Sequence, residues 1–350
     1  MAYGVETHKD KDGTVWIDVD NGSGLFLRLC SVGASTYEIK LRGTLMNLVP
    51  VPDQFLVSQQ FFGKTLGRVA GRIPVDFEVD GNKLALIQDQ AGFCLHGGKD
   101  RSLSFKNFKP TIAKGEKAIA VSFEYLSPAG EAGFPGNATV TVTYKVTRGH
   151  NEFSIGFRAT ADEDTPLSLT NHIYWDLGNA NDVSGQVLTI KANEYGIGDG
   201  HSQLVRGIAR IDPFLDFSTP AALGPKLDSI ERRLPEKTID HTFFFDGVRT
   251  DRPQVELSDG KVKLSLFTDM PAVNVYVDNS LTPVSFVNGS NLARKRRAIA
   301  FEPQEFYLLK PGIVLKKGRV FDHFERYVFS LLRRRQKWGH VFSIWLLFFK

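Results

Sequence analysis

Short runs of alternating apolar and polar residues follow one another along most of this chain. The segment TVTVTYKV at residues 139–146 alternates with a period of two, which is typical of a strand with one buried face. Similar short runs are rich in β-branched and aromatic residues, and they cover residues 15–20, 25–32, 118–125, 138–146 and 151–159. The pattern predicts a chain built from many short strands.

Turn-forming clusters separate these runs, as in NGSG, VDGN, TRGHN and LSDGK. Helical periodicity is found only around residues 51–60 and 227–233. Short strands at regular spacing without intervening helices favour antiparallel sheets packed face to face. We therefore predict an all-β fold, a large antiparallel β-sandwich, formed by a single domain over residues 1–329.

The pattern changes abruptly after residue 329, where the chain continues as SLLRRRQKWGHVFSIWLLFFK. Mixed basic and aromatic residues are typical of an element that binds a membrane surface or a partner protein. A second interpretation is an extension without a selected role, and we favour it because an exposed WLLFF segment promotes aggregation. Residues 330–350 are therefore predicted to be a separate tail.

Charge and composition narrow the possible functions. The chain has 350 residues and a net charge of +4, but five basic and no acidic residues lie in the segment 331–350. The remainder is close to neutral, whereas a nucleic-acid-binding domain usually carries a basic face. No run reaches the ~18 apolar residues that a membrane span requires. We therefore expect neither nucleic-acid binding nor a transmembrane segment.

Two cysteines, Cys30 and Cys94, lie within apolar runs and are predicted to be buried free thiols. They form neither a disulfide framework nor a zinc-binding spacing, which favours a reducing compartment. The first residues are polar and acidic and do not resemble a secretion signal. These features predict a cytoplasmic protein.

Motifs for common cofactors are absent from the sequence. The Gly-rich segments contain neither GxGxxG nor a P-loop, so a bound nucleotide is not expected. The histidine spacings HxH, HxxxH and HExxH are also absent, and these usually identify zinc sites. The sequence therefore predicts that the protein uses no cofactor and no metal.

Several polar residues interrupt apolar runs. His96 lies in CLHGG, where two glycines permit close approach of backbone to a ligand. His172 lies in LTNHIYWDL, and His241 follows Asp240 in IDHTF. Taken singly, each histidine is more often a structural residue with satisfied hydrogen bonds than a functional one.

The segment FEPQEF contains two carboxylates, Glu302 and Glu305. Strand alternation places Glu302 and Gln304 on one face and Glu305 on the other. A carboxylate on the buried face is costly unless it is paired or has a function. A solvated strand face remains the alternative when these residues are considered alone.

Taken together, seven segments resemble the aldose 1-epimerase (galactose mutarotase) family, and they occur in that family's order between residues 15 and 329. They are FFGKTLGRVAGRI, LHGG, SPAGEAGFPGNATVTVTY, LTNHIYWDL, IDHTF, TDMPAVNVYVDN and FEPQ. The resemblance implies a large antiparallel β-sandwich with a shallow sugar cleft on one sheet. It also implies interconversion of the α and β anomers of a free hexose such as glucose or galactose.

The resemblance assigns roles to particular residues. Glu302 is expected to be the base at the C1 hydroxyl and His172 the acid at the ring oxygen. Expected substrate contacts come from Arg72, His96 and Asp240, with a further polar contact from Asn274 and an apolar wall from Tyr174 or Trp175. A non-catalytic sugar-binding module, or an epimerase of a sugar phosphate or disaccharide, remains an alternative.

Three positions depart from the family pattern. Asp176 replaces an asparagine, which is expected to add a charge near the cleft. Pro303 lacks an N–H group and therefore fits only an edge or bulge of a sheet. The segment after Gln304 is shorter than in many relatives, which leaves the choice among glucose, galactose and a disaccharide open.

Overall fold

Antiparallel strands make up most of the chain in its computed structural model. The structure describes residues 2–89, 92–178, 182–198, 204–279, 284–289, 295–309 and 312–332. In the first half the strands are β1 (Gly4–Lys9), β2 (Val15–Asp20), β3 (Leu25–Cys30), β4 (Ser35–Leu41), β5 (Thr44–Leu45), β6 (Thr65–Leu66), β7 (Arg72–Pro74), β8 (Glu78–Val79), β9 (Asn82–Lys83), β10 (Phe93–Leu95), β11 (Lys109–Lys114), β12 (Ala118–Ser127), β13 (Ala138–Thr147) and β14 (Glu152–Ala161).

In the second half they are β15 (Thr165–Pro166), β16 (Thr170–Asn171), β17 (Tyr174–Trp175), β18 (Val187–Ile190), β19 (Ala192–Gly198), β20 (Val205–Arg210), β21 (Ala221–Ala222), β22 (Asp240–Phe245), β23 (Val255–Ser258), β24 (Val262–Thr268), β25 (Ala272–Val277), β26 (Ile299–Gln304), β27 (Val314–Leu315) and β28 (Val320–Leu331). The predicted strands are found with each end shifted by at most two residues. The all-β fold predicted from the sequence is confirmed.

Two α-helices lie in the described part of the chain, α1 (Pro52–Val57) and α2 (Leu223–Arg233), near the predicted helical segments. Helix α1 begins at a proline, whose fixed φ suits the first helical position. Helix α2 buries Leu223, Leu227 and Ile230, which share one helical face. Within the described ranges, neither helix has the length or apolar character needed to span a bilayer.

Three larger sheets enclose the main hydrophobic core. A nine-stranded sheet has the order β11-β12-β13-β14-β28-β24-β23-β18-β21, a six-stranded sheet the order β17-β26-β25-β22-β19-β20, and a five-stranded sheet the order β1 to β5. Val140 of β13, Leu27 of β3 and Val273 of β25 belong to one buried apolar cluster. The sheets therefore pack face to face, as in a sandwich.

Strand β28 closes the nine-stranded sheet by pairing with β14 on one side and β24 on the other. It ends at Leu331, two residues beyond the predicted domain boundary, and the Leu332 N–H donates a hydrogen bond to the Lys261 carbonyl. The rest of the predicted tail, residues 333–350, lies outside the described residues.

Pro303 occupies the position that its missing N–H requires. On one side β26 pairs with β25, where Pro303 lies opposite Val273. On its other side β26 pairs with β17 only at Ile299 and Ala300. In the described structure Pro303 therefore lies where β26 is locally an edge of its sheet. Cys30 and Cys94 are buried free thiols, as predicted.

Candidate active site

The outer face of the six-stranded sheet carries a row of polar side chains. Asn274 lies directly opposite Glu302 in the register between β25 and β26, and Asp240 of β22 lies opposite Tyr276 of β25. The intervening residues, such as Val275, point into the apolar core. Period-two alternation therefore delivers polar groups from three neighbouring strands to one surface.

A cavity of about 350 Å³ lies on this face. Seven residues that the sequence analysis assigned to the site line it: Arg72, His96, His172, Tyr174, Asp240, Asn274 and Glu302. The structure thus brings together residues that are widely separated in the sequence. Their individual roles remain predictions.

His172 and Glu302 both line the cavity and lie close together. His172 Nε2 lies 3.5 Å from Glu302 Oε1, and both side chains are buried. The Asn274 amide donates a hydrogen bond to Glu302 Oε1 over 3.2 Å. Among the described residues, neither Glu302 Oε2 nor His172 Nδ1 has a hydrogen-bond partner. Glu302 Oε2 is therefore a buried acceptor that a sugar hydroxyl in the cavity would satisfy.

The backbone holds His172 in place. Its N–H donates to the Lys64 carbonyl over 2.9 Å, and its carbonyl accepts from the Gly63 N–H over 2.7 Å. The residues just before it, Thr170 and Asn171, pair with β6. The imidazole is thereby presented from a fixed segment, which favours precise proton transfer.

Burial shifts the pKa of each ionisable group that could transfer a proton. It raises the pKa of Glu302 to about 8, an effect that the Asn274 hydrogen bond opposes and the Asp240 charge reinforces. Burial lowers the pKa of His172 to about 4. It also holds the pKa of His96 well below its usual value, helped by His172 and by the Arg72 charge. All three shifts favour the uncharged forms.

His96 adopts a left-handed backbone conformation with φ of +49°, which is uncommon for residues other than glycine. Two hydrogen bonds to Gly71 hold it: the His96 N–H donates to the Gly71 carbonyl, and the Gly71 N–H donates to His96 Nδ1 over 3.2 Å. Because Nδ1 accepts, the neutral ring carries its hydrogen on Nε2. His96 is therefore a hydrogen-bond donor.

The two glycines after His96 were predicted to let the backbone approach a ligand, but their structural role is different. A Cβ atom on Gly97 would lie 2.0 Å from the Gly67 carbonyl oxygen, so this glycine permits backbone to pack against backbone. Neither Gly97 nor Gly98 lines the cavity. The prediction that they allow close approach to a ligand is wrong.

Arg72 and Asp240 form an ion pair in the wall of the cavity. The guanidinium donates to both carboxylate oxygens, over 2.8 and 3.3 Å. Burial acts to raise the pKa of Asp240, but the charge and hydrogen bonds of Arg72 hold it below its usual value. Asp240 is therefore an ionised acceptor beside a cationic donor, and together they suit neighbouring sugar hydroxyls.

Aromatic rings supply the apolar walls. The Tyr174 ring lies 4.7 Å from the His172 ring, whereas Trp175 points into the core against Tyr327. Of the two residues that the sequence offered for the wall, only Tyr174 lines the cavity. Phe61 and Tyr276 also line it and were missed. Tyr276 lies two residues after Asn274, so alternation alone would have placed it on the same face.

Two carboxylates lie away from the cavity. Asp176 is buried, accepts the Gly178 N–H over 2.9 Å and does not line the cavity; burial raises its pKa to about 6. The expectation that it adds a charge near the cleft is therefore wrong. Glu305 lies beside His323, at 3.6 Å from its Nε2. Of the two glutamates in FEPQEF, only Glu302 lines the cavity.

His96, His172 and Glu302 also form a potential metal-ligand set. One donor atom from each lies within 4.8 Å of the others, and nitrogen and carboxylate donors are those that Zn²⁺ prefers. A bound ion would take one donor atom from each of His172 and Glu302. Metal binding and proton transfer by this pair would therefore exclude each other.

Comparison with known proteins agrees with this arrangement. A family model described as "Aldose 1-epimerase" matches residues 16–327. The chain is 29% identical to human galactose mutarotase over 296 residues, covering 80% of this chain and 82% of that protein. It is 27% identical to the Escherichia coli aldose 1-epimerase over 334 residues, covering 88% and 93%. It is 30% identical to the Haemophilus influenzae aldose 1-epimerase over 307 residues, covering 82% and 85%.

The fold has close structural counterparts. The crystal structure of galactose 1-epimerase from Lactobacillus acidophilus superposes with a TM-score of 0.82 at 22% identity, covering 94% of this chain and 99% of that one. A homologue of aldose epimerases from Caenorhabditis elegans superposes with a TM-score of 0.81 at 24% identity, covering 92% and 100%. These matches show the same fold.

Proposed function

Because this chain belongs to the aldose 1-epimerase family, whose named relatives are isomerases, we propose that it interconverts the α and β anomers of a free hexose such as glucose or galactose. The observation that carries this proposal is the 3.5 Å approach of His172 Nε2 to Glu302 Oε1 inside the cavity. An acid and a base in contact within one pocket suit a reaction that moves two protons.

The substrate's own geometry explains why the two groups are neighbours. The C1 hydroxyl and the ring oxygen of an aldose are bonded to the same carbon. Ring opening removes the proton from the C1 hydroxyl while the ring oxygen gains one. The base and the acid must therefore reach the same edge of the ring, which two neighbouring side chains can do.

In the proposed reaction Glu302 accepts the hydroxyl proton as the O–H electron pair forms the C1 carbonyl. The bond between C1 and the ring oxygen breaks, its electron pair stays on that oxygen, and His172 protonates it. Rotation about C1–C2 then presents the other carbonyl face. Closure follows with the roles reversed, so Glu302 returns a proton and His172 takes one back.

One shared proton is enough for this cycle. Between the pKa values of about 4 for His172 and about 8 for Glu302, the pair holds a single proton. The neutral pair and the ion pair of Glu302 carboxylate with His172 imidazolium differ only in the position of that proton. The proton therefore reaches His172 without exchange with solvent.

The surrounding residues support a free sugar as substrate. Arg72 and Asp240 offer donors and an acceptor, His96 offers a donor, and Tyr174 offers an apolar surface. Arg72 is the one arginine or lysine among the described residues lining the cavity, and Asp240 offsets its charge. A sugar phosphate would require more cationic donors.

Polarimetry on freshly dissolved α-D-glucose and α-D-galactose tests the proposal. We expect the wild-type protein to accelerate mutarotation above the buffer rate. A Glu302→Gln variant should lose about 100-fold or more of kcat, since it cannot accept a proton. A Glu305→Gln variant is the matched control and should keep its rate. A fully active Glu302→Gln protein, or a wild type no faster than buffer on either sugar, would refute the proposal.

A further inference from the structure

A carboxyl group is buried on the inner face of β28, next to the segment that carries His172. Glu325 is fully buried, and the following residues on that face of the strand, Tyr327 and Phe329, belong to the main apolar cluster. A carboxyl in such a position is costly unless it is paired or has a function. An apolar side chain would suit the core better, so folding alone does not explain Glu325.

The hydrogen bonds of Glu325 reach from β28 to the residues just before His172. Its Oε1 accepts from the Thr170 hydroxyl over 2.7 Å and from the Asn171 N–H over 3.2 Å. Both donors belong to β16, which forms a two-stranded sheet with β6. One carboxyl oxygen therefore joins the nine-stranded sheet to a strand outside that sheet.

Asn171 in turn contacts the backbone that holds His172. Its Nδ2 donates to the Gly63 carbonyl and to the Tyr144 hydroxyl, each over 3.0 Å, and the Gly63 N–H donates to the His172 carbonyl. A Cβ atom on Gly63 would lie 1.9 Å from the Thr36 carbonyl oxygen, so these backbone segments are in close contact. A displacement of Asn171 would therefore move His172 as well.

The Glu325 carboxyl is uncharged at neutral pH, because burial raises its pKa to about 8. Since Oε1 already accepts two hydrogen bonds, the proton lies on Oε2, which is 2.8 Å from the Tyr327 hydroxyl oxygen. Glutamine would reproduce this arrangement, with its carbonyl oxygen toward Thr170 and Asn171 and its amide N–H toward Tyr327. Leucine would leave both donors buried without an acceptor, which is costly.

We propose that Glu325 is a positioning residue for the reaction: its buried carboxyl fixes Thr170 and Asn171 and thereby holds His172 in contact with Glu302. This inference rests on the proposed function. Proton transfer requires precise placement of the reacting groups, so loss of the Glu325 acceptor slows turnover. Because Glu325 does not line the cavity, sugar binding changes little.

The test combines mutarotation of glucose and galactose with the imidazole NMR signals of His172, which are assigned by their absence in His172→Asn. Glu325→Leu should lower kcat on the better sugar about tenfold or more with little change in KM, and it should shift the His172 signals. Glu325→Gln keeps the acceptor and should retain most of kcat and the wild-type signals. Thr170→Val removes one of the two donors and should give a smaller loss of kcat.

Thr268→Val is the matched control for Thr170→Val. Both threonines are fully buried. Thr268 lies on β24 directly opposite Glu325, and its hydroxyl donates to the Phe324 carbonyl over 2.7 Å. The control variant therefore loses a buried hydrogen bond beside Glu325 without altering the contacts of β16. It should have a lower melting temperature and an unchanged kcat.

A Glu325→Leu protein with wild-type kcat and unshifted His172 signals would overturn the positioning role. Glu325→Gln as slow as Glu325→Leu, or equal kcat losses in Thr170→Val and Thr268→Val, would also overturn it. If Glu325→Leu does not fold, kcat and the His172 signals of Thr170→Val decide in the same way. A wild type no faster than buffer on either sugar would refute the proposed function alone, because the NMR comparison still shows whether Glu325 holds His172.

Discussion

His172 Nε2 lies 3.5 Å from Glu302 Oε1, although the two residues belong to distant segments of the sandwich. His172 follows β16, which pairs with β6, while Glu302 belongs to the six-stranded sheet. Their contact agrees with a reaction whose two oxygens share one carbon. It also joins two titrating groups into a unit that holds one proton over a wide pH range.

The shared proton predicts a bell-shaped dependence of kcat/KM on pH. Below about 4 the pair gains a second proton, so Glu302 has no form that accepts one. Above about 8 the pair loses its last proton and no acid remains for the ring oxygen. Polarimetric rates on galactose between pH 3.5 and 9.5, corrected for the buffer reaction, should fall at both ends. A rate that keeps rising past pH 9 would contradict this scheme.

Replacing Arg72 by lysine should weaken substrate binding more than turnover. Lysine keeps the positive charge beside Asp240 but lacks the planar guanidinium group, whose two nitrogens donate to both carboxylate oxygens. We expect KM for galactose to rise about tenfold or more, with a smaller change in kcat.

Arg158→Lys is the matched control for that variant. Arg158 pairs with Asp322 over 2.9 Å on the exposed surface of the nine-stranded sheet, where such pairs contribute little. The Arg158→Lys variant should have unchanged KM and kcat. An unaltered KM in Arg72→Lys would remove Arg72 from the substrate contacts.

Metal ions are predicted to inhibit the enzyme. The proposed mechanism uses only side-chain protons, so prolonged treatment with EDTA should leave the rate unchanged. Added Zn²⁺ should inhibit in competition with sugar, because a bound ion would occupy donor atoms of His96, His172 and Glu302. Loss of activity in EDTA that Zn²⁺ restores would show a metal-dependent reaction.

A buried carboxyl beneath the site predicts how stability depends on pH. Glu325 accepts hydrogen bonds from the Thr170 hydroxyl and the Asn171 N–H, just before His172. Burial raises its pKa to about 8, far above the usual value of about 4.3 for an unfolded chain. Between these values the folded state binds a proton that the unfolded state lacks, so the free energy of unfolding falls as pH rises.

A Glu325→Gln variant removes this titration. Its melting temperature should fall less between pH 5 and 8.5 than that of the wild type, although Glu302 keeps part of the slope because its pKa is shifted in the same direction. Thermal unfolding at several pH values measures how steeply the melting temperature of each protein falls with pH. Equal slopes in the two proteins would mean that Glu325 ionises normally.

Much of the fold was predictable because alternation along a strand is visible in one sequence. The segment 139–146 has Val140 and Val142 inward and Thr139 and Thr141 less buried, as expected. Which strands become neighbours was not predictable, because pairing such as that of β28 with β14 and β24 depends on distant segments. Alternation identifies faces of a strand, not its partners.

The candidate site was likewise predictable only in part. Motif resemblance identified all seven assigned residues, and they line one cavity. It did not determine which of Tyr174 and Trp175 lines the cavity, since either of two adjacent aromatic residues can lie on the cavity face of a strand. It misplaced Asp176, whose side chain turns back to the Gly178 N–H. Hydrogen bonds within a turn determine that orientation, and residue type alone does not reveal it.

The central claim is that Glu302 and His172 act as one proton-sharing unit. The most direct test is the kcat for galactose mutarotation in Glu302→Gln, His172→Asn and the double variant. Residues that act together lose most of their effect when either is removed. We therefore predict losses of about 100-fold or more in each single variant, with little further loss in the double variant. Losses that multiply in the double variant, or a single variant with full activity, would contradict the account.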